Sequence, residues 1–158
     1  MLARRLSPSP MSVPLAVLDT NVVLDLFVWD NPAAEPLRAS IRDGALRCLS
    51  DPECLDELAR VLTYPKLALD PAARAAIHAD YRALCTVIAS QPAAHASPIL
   101  PRCSDRDDQK FLTLAVRARA DYLLTRDKAL LKMAKRMHKF APQLAIITPS
   151  AKIAALPT

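Results

Sequence analysis

Asp19 closes a run of four apolar residues, Leu15-Ala16-Val17-Leu18, and is followed by Thr20 and Asn21. The run reads as a short buried strand, and a carboxylate at its carboxyl end is poorly solvated unless something positive meets it. In open parallel α/β sheets that edge is where ligands bind. Other acids stand in comparable places. Asp105, Asp107 and Asp108 precede the apolar pattern Phe111, Leu112, Leu114, Ala115, and Asp127 comes just after Tyr122-Leu123-Leu124-Thr125. On a helix expected over Pro52 to Thr63, Glu57 falls at the edge of the apolar arc of Cys54, Leu55, Leu58, Ala59, Val61 and Leu62. Carboxylates crowded into one place raise each other's pKa values, and a divalent cation removes the conflict. All-oxygen ligands suit a hard ion, Mg²⁺ or Mn²⁺, and such a site can activate water and neutralise charge building on a phosphodiester.

Each acid also has a plain structural reading. Acids at helix starts commonly cap the helix or complement its dipole, which covers the Asp105 group and also Asp127 ahead of Lys128. Glu57 reads equally as a solvated surface glutamate. Asp19 is the hardest to explain this way, because a strand-end acid needs a partner.

Composition removes several chemistries. Gly44 is the only glycine, which excludes a Walker loop, a G-x-G-x-x-G turn and a G-x-S-x-G elbow. His78, His95 and His138 have no helical pairing, so a zinc site is not expected. Cys48, Cys54, Cys85 and Cys103 are spaced too irregularly for a metal knuckle or a redox pair and read as structural thiols in a reducing cytoplasm. The formal charge of +5 favours a polyanionic partner. Lys128, Lys132, Lys135 and Lys139 follow helical spacing, so they are expected to share a face, either a solvated stripe or a track for a phosphate backbone. Aromatic residues are only 4% of the chain, which argues against base stacking as the main grip. Trp29, near Phe27, is expected in the core or in a dimer contact.

The 158 residues suit one domain, and no apolar run approaches the roughly 20 residues of a membrane helix. Residues 1–14 carry three prolines and lack the apolar stretch of a secretory signal, so a flexible N-terminal tail is expected before a domain over 15–158. Strands are expected at Leu15 to Leu18, Leu46 to Leu49, Tyr122 to Thr125 and Leu144 to Ile147. Helices are expected over Val22 to Val28, Ala33 to Asp43, Pro52 to Thr63 with Ser50 and Glu53 as a capping box, Pro71 to about Ala89, from Ser104–Asp108 onward, and Lys128 to about Phe140. A last short helix opens at Thr148-Pro149-Ser150. Gln91 to Pro101 reads as a linker or surface loop. Alternating strands and helices argue for a single α/β domain, a three-layer sandwich around a mainly parallel sheet of about four to five strands.

In order along the chain, five segments resemble those of PIN-domain ribonucleases, particularly the toxin components of toxin–antitoxin pairs. They are Leu18-Asp19-Thr20-Asn21, then Leu55-Asp56-Glu57-Leu58 with Tyr64-Pro65-Lys66, then Asp105-Arg106-Asp107-Asp108-Gln109-Lys110-Phe111-Leu112, then Tyr122-Leu123-Leu124-Thr125-Arg126-Asp127, and finally Ile147-Thr148-Pro149. The resemblance implies Asp19, Glu57, Asp108 and Asp127 as metal-binding acids, with Asp105 the alternative to Asp108. It implies Asn21, Thr125 and Thr20 as polar support. Arg126 departs from the family pattern and reads as a phosphate contact or a surface cation, with Lys128 and Lys132 beside it. The implied activity is Mg²⁺- or Mn²⁺-dependent hydrolysis of single-stranded or loop RNA, leaving a 5′-phosphate and a 3′-hydroxyl. An antitoxin partner and a homodimer are implied in the same way. Two rival classes remain open: a structure-selective DNA nuclease with a similar acidic ring, and a catalytically inert binding or receiver-like module.

Overall fold

The fold is described from a computed structural model covering residues 12–90 and 100–149. Strand β1 (Leu15–Leu18) is apolar throughout because both of its faces are covered. Ala16 and Leu18 point into one core, and Val17 into the other. The chain then forms α1 (Thr20–Phe27), α2 (Glu35–Arg42), β2 (Arg47–Ser50), α3 (Pro52–Val61), α4 (Pro71–Leu84) and β3 (Thr86–Val87). The second half supplies α5 (Gln109–Arg117), β4 (Tyr122–Leu124), α6 (Lys128–Leu131), α7 (Ala134–Met137) and β5 (Ala145–Ile147). Short 3-10 turns occupy Pro32–Ala34, Pro65–Leu67 and Arg106–Asp108.

Among the described residues, five strands form one all-parallel sheet in the order β3-β2-β1-β4-β5. From β1 the chain winds outward through β2 and β3, then returns to place β4 on the other side of β1. The strand order therefore reverses between β1 and β4, and the carboxyl edge there is the crevice in which such sheets bind ligands. One core, with Leu24, Leu37, Leu58, Leu62 and Tyr81, lies under α1 to α4. The other, with Phe111, Leu112, Leu130 and Met137, lies under α5 to α7. The α/β three-layer arrangement agrees with the sequence reading.

Three local expectations are corrected. The helix expected to reach Ala89 stops at Leu84, where Cys85 turns to extended backbone and Thr86–Val87 pairs with Leu49 and Ser50. Two β-branched residues at a sheet edge are too few to register as a period. The start of α3 is capped by Asp51, whose Oδ1 accepts from the Cys54 amide at 2.9 Å, because Ser50 still belongs to β2. The basic helix expected over Lys128 to Phe140 is broken. The Met133 amide bonds to the Leu130 carbonyl, a tightened turn that seats Leu130, Met133 and Met137 in the core. The four lysines therefore do not line one continuous helical face.

Residues 1–11 of the expected tail lie outside the described residues, as do 91–99 of the expected linker and the continuation of the last helix from 150. Within the expected tail, the Pro14 carbonyl accepts a hydrogen bond from the Arg47 amide at 2.9 Å. No described helix is long and apolar enough to cross a membrane.

Candidate functional site

Parallel pairing of β1 with β4 puts Leu18 beside Leu124, so the residues that follow them emerge side by side. The Asp19 amide bonds to the Leu124 carbonyl at 3.0 Å. Asp19 is only 3% exposed. What meets its carboxylate is not a cation but Thr125, fully buried, whose hydroxyl donates to Asp19 Oδ2 at 2.7 Å. Thr125 Oγ1 in turn accepts from the Asp127 amide at 2.9 Å. Asp127 Oδ1 accepts from the Ala129 amide at 2.7 Å, so the acid caps α6 and also faces the crevice.

The third acidic segment arrives from α5. Asp105 caps the Arg106–Asp108 turn, its Oδ1 accepting from the Asp107 amide at 3.0 Å. The turn carries Asp108 inward, to 7% exposure, just before the apolar face of α5 begins. One carboxylate oxygen from each of Asp105, Asp108 and Asp127 lies within 4.8 Å of the others. Asp19, Thr20, Asn21, Glu57 and Asp107 line the same cleft, of about 210 Å³. Both readings of the Asp105 group are thus realised at once: Asp105 caps a turn and joins the cluster with Asp108.

Burial and crowding raise the pKa of two acids here, Asp108 and Asp19. Burial, reinforced by Asp19, Asp127 and Asp105, pushes the Asp108 carboxyl up to about 8. Burial also raises Asp19, helped by Asp127 and Glu57 and opposed by the Thr125 hydroxyl. Asp108 Oδ2 is buried and has no hydrogen-bond partner among the described residues. An orphaned carboxylate oxygen in a nest of carboxylates is costly, and a hard divalent cation satisfies it while cancelling the repulsion. The donor set is all oxygen, the kind that suits a hard divalent cation.

Glu57 reaches the cleft in a different state from the aspartates. It is 9% exposed, Oε2 accepts from the Thr20 hydroxyl at 2.6 Å, and Oε1 accepts from Lys110 Nζ. Lys110 also donates to the Asp107 carbonyl at 2.6 Å, joining α3 to the turn that carries Asp108. Glu57 is therefore already neutralised by a protein cation. Sequence reasoning missed Lys110, although one signal was present. A lysine in the first turn of a helix opposes the helix dipole, so it needs acids close by.

The remaining candidates are placed differently. Asn21 is exposed on the cleft wall. Arg126 turns away from the cleft and grips Asp25 of α1 with two bonds, at 2.8 Å and 3.1 Å. Its fork holds a buried carboxylate, although the arginine side chain itself stays 47% exposed. Lys128 and Lys132 are exposed and stand outside the cleft lining. Burial pushes all four thiols up in pKa, so none is a ready nucleophile.

Comparison with curated proteins finds no match. A family model described as PIN domain matches residues 15–129, the span from the first residue of β1 to the start of α6. That span includes Asp19, Glu57, Asp105, Asp108, Thr125 and Asp127. Well over half of the chain is covered, and the parallel five-stranded sheet agrees with it, so the chain belongs to the PIN-domain family, whose members are generally nucleases that use divalent metal.

Proposed function

We propose that the chain is a Mg²⁺- or Mn²⁺-dependent endoribonuclease that hydrolyses phosphodiester bonds of single-stranded or loop RNA, as the toxin of a toxin–antitoxin pair. The observation that carries the metal-dependent part is the convergence of Asp105, Asp108 and Asp127 beside Asp19, with Asp108 Oδ2 buried and unpartnered. The RNA substrate, the toxin role, an antitoxin partner, a homodimeric state and a cytoplasmic location rest on the resemblance of the ordered motifs.

Asp105, Asp108 and Asp127 would hold the ion, with Asp19 next to them. When bound, the ion supplies a Lewis acid that polarises a phosphoryl oxygen and acidifies water. Thr125 fixes the Asp19 carboxylate and, through the Asp127 amide, the backbone of a second acid. Thr20 and Lys110 keep Glu57 oriented and charge-compensated at the cleft wall. No side-chain nucleophile is required, consistent with the raised thiols. The basic residues after Asp127, beginning with Lys128 and Lys132, offer positive charge to a phosphate backbone approaching the cleft.

The test is cleavage of matched labelled RNA and DNA strands, single and duplex, by the protein and by Asp19→Asn. RNA cut only with Mg²⁺ or Mn²⁺, and no cutting by a folded Asp19→Asn, supports the proposal. Metal-dependent cutting retained by Asp19→Asn defeats it. Preference for branched DNA would move the reading to a structure-selective DNA nuclease.

A further inference from the structure

Among the described residues, few large apolar side chains face solvent, and two of them stand on the wall of the acidic cleft. Trp29 is 47% exposed and Tyr64 is 41% exposed. They come from different elements. Trp29 follows the C-cap of α1 and precedes Asp30, which sits at φ +46, a left-handed conformation that few non-glycine residues adopt. Tyr64 leads into the Pro65–Leu67 turn after α3. Of the two places expected for Trp29, the core or a dimer contact, it does not lie in the core. Phe27 packs edge-on against Tyr81, ring centroids 6.0 Å apart, while Trp29 leaves the core for the cleft.

Two cations share this wall. Arg60 and Lys66 are exposed and line the same cleft, Arg60 reaching to 3.7 Å from Glu57. The cleft lining thus combines carboxylates with two aromatic rings and two cations. Exposed aromatic faces interleaved with positive charge are how proteins hold single-stranded nucleic acid, because every base offers a π-face and every linkage a negative charge. A base inside a duplex is already stacked on both sides and has no face to offer. A low overall aromatic content does not oppose this, since two rings suffice when both are placed at the site.

We propose that Trp29 and Tyr64, flanked by Arg60 and Lys66, form a stacking subsite for an unpaired nucleobase beside the acidic cluster. The subsite deepens the nuclease reading and rests on it for the presence of a scissile phosphate next door. It makes strand state the feature that is recognised: the base must be free of its partner for the neighbouring phosphate to reach the acids.

Trp29 is the only tryptophan in the chain, so its emission reports the subsite directly. The full chain carrying Asp108→Asn, in Mg²⁺ buffer, is titrated with an unstructured uridylate RNA oligomer and with an RNA duplex of equal length. The single strand is expected to quench Trp29 emission and the duplex to leave it unchanged. By anisotropy of a labelled strand, Trp29→Ala and Tyr64→Ala should each weaken binding roughly 5- to 150-fold, with Trp29→Phe intermediate. Equal quenching by single strand and duplex overturns the subsite, and so does unchanged affinity in both alanine variants. The two readings fail separately. Quenching by single strands with no cleavage by the unmutated protein sinks the nuclease alone, whereas cleavage with unchanged affinity in both alanine variants sinks the subsite alone.

Discussion

Thr125 donates its hydroxyl to Asp19 Oδ2 at 2.7 Å and joins two acids far apart in the chain, because Thr125 Oγ1 also accepts from the Asp127 amide at 2.9 Å. The contact is buried and bridges the strand ends on either side of the sheet's reversal point. Thr125→Val keeps the volume and removes both bonds. It is expected to cost about 1–3 kcal/mol in urea unfolding, since a carboxylate and an amide lose their partner. It should also lower cleavage more than the stability loss explains, while Thr125→Ser preserves both. Unaltered cleavage by Thr125→Val would remove the threonine from the site.

Asp108 ties folding to pH. Its carboxyl is pushed from 3.8 to about 8, chiefly by burial and then by Asp19. The folded state holds that proton more tightly than the unfolded state, so the metal-free protein should lose stability as pH rises from 3.8 to about 8. Thermal melts in chelator across that range should show the slope, and Asp108→Asn should flatten it and melt higher at the alkaline end. Adding Mn²⁺ should raise the melting temperature of the unmutated protein and do much less for Asp108→Asn. An equal rise in both would place the ion elsewhere.

Lys110 and Glu57 make a pair whose members matter differently alone and together. Lys110→Met leaves a 9% exposed glutamate with the Thr20 hydroxyl and the exposed Arg60 at 3.7 Å, a loss of about 1–3 kcal/mol. Lys110→Met combined with Glu57→Gln should recover much of that loss, as a double-mutant cycle by denaturant unfolding would read. Purely additive losses would mean that the contact carries little energy.

Arg126 and the lysines that follow it should separate in their effects. Arg126 holds the buried Asp25 with both arms of its fork, so Arg126→Ala and Arg126→Lys should both lower the melting temperature. Lys128→Ala and Lys132→Ala should leave the melting temperature nearly unchanged. For single-stranded binding, each lysine that contacts a phosphate should reduce the slope of log affinity against log salt by about 0.7 on removal. A salt slope that falls with Arg126→Ala but not with the lysine variants would reverse these roles.

The short strands around Val17, Leu123 and Ile146 were legible because both faces of a buried parallel strand must be apolar, and that leaves unbroken apolar runs; β2 shows the same signal only around Cys48 and Leu49, between Arg47 and Ser50. Asp19 and Asp127 were legible as candidates because a carboxylate after such a run stands at the sheet edge. The edge strand Thr86–Val87 was not, since two residues carry no period, and the break after Leu130 is made by core packing rather than by any proline or glycine. The choice among Asp105, Asp107 and Asp108 was closed to sequence because a 3-10 turn rotates neighbours by angles that helical counting does not supply.

Sequence alone determined which residues carry charge, which runs are apolar, and hence a parallel α/β domain with acids at strand and helix ends. Only the tertiary structure decided what stands opposite each of them: Thr125 against Asp19, Lys110 against Glu57, Asp25 against Arg126, and Trp29 with Tyr64 on the cleft wall. The reason is that periodicity reports the face of an element on which a side chain lies. Its partner across the gap belongs to another element, brought there by burying apolar surface that neither segment records.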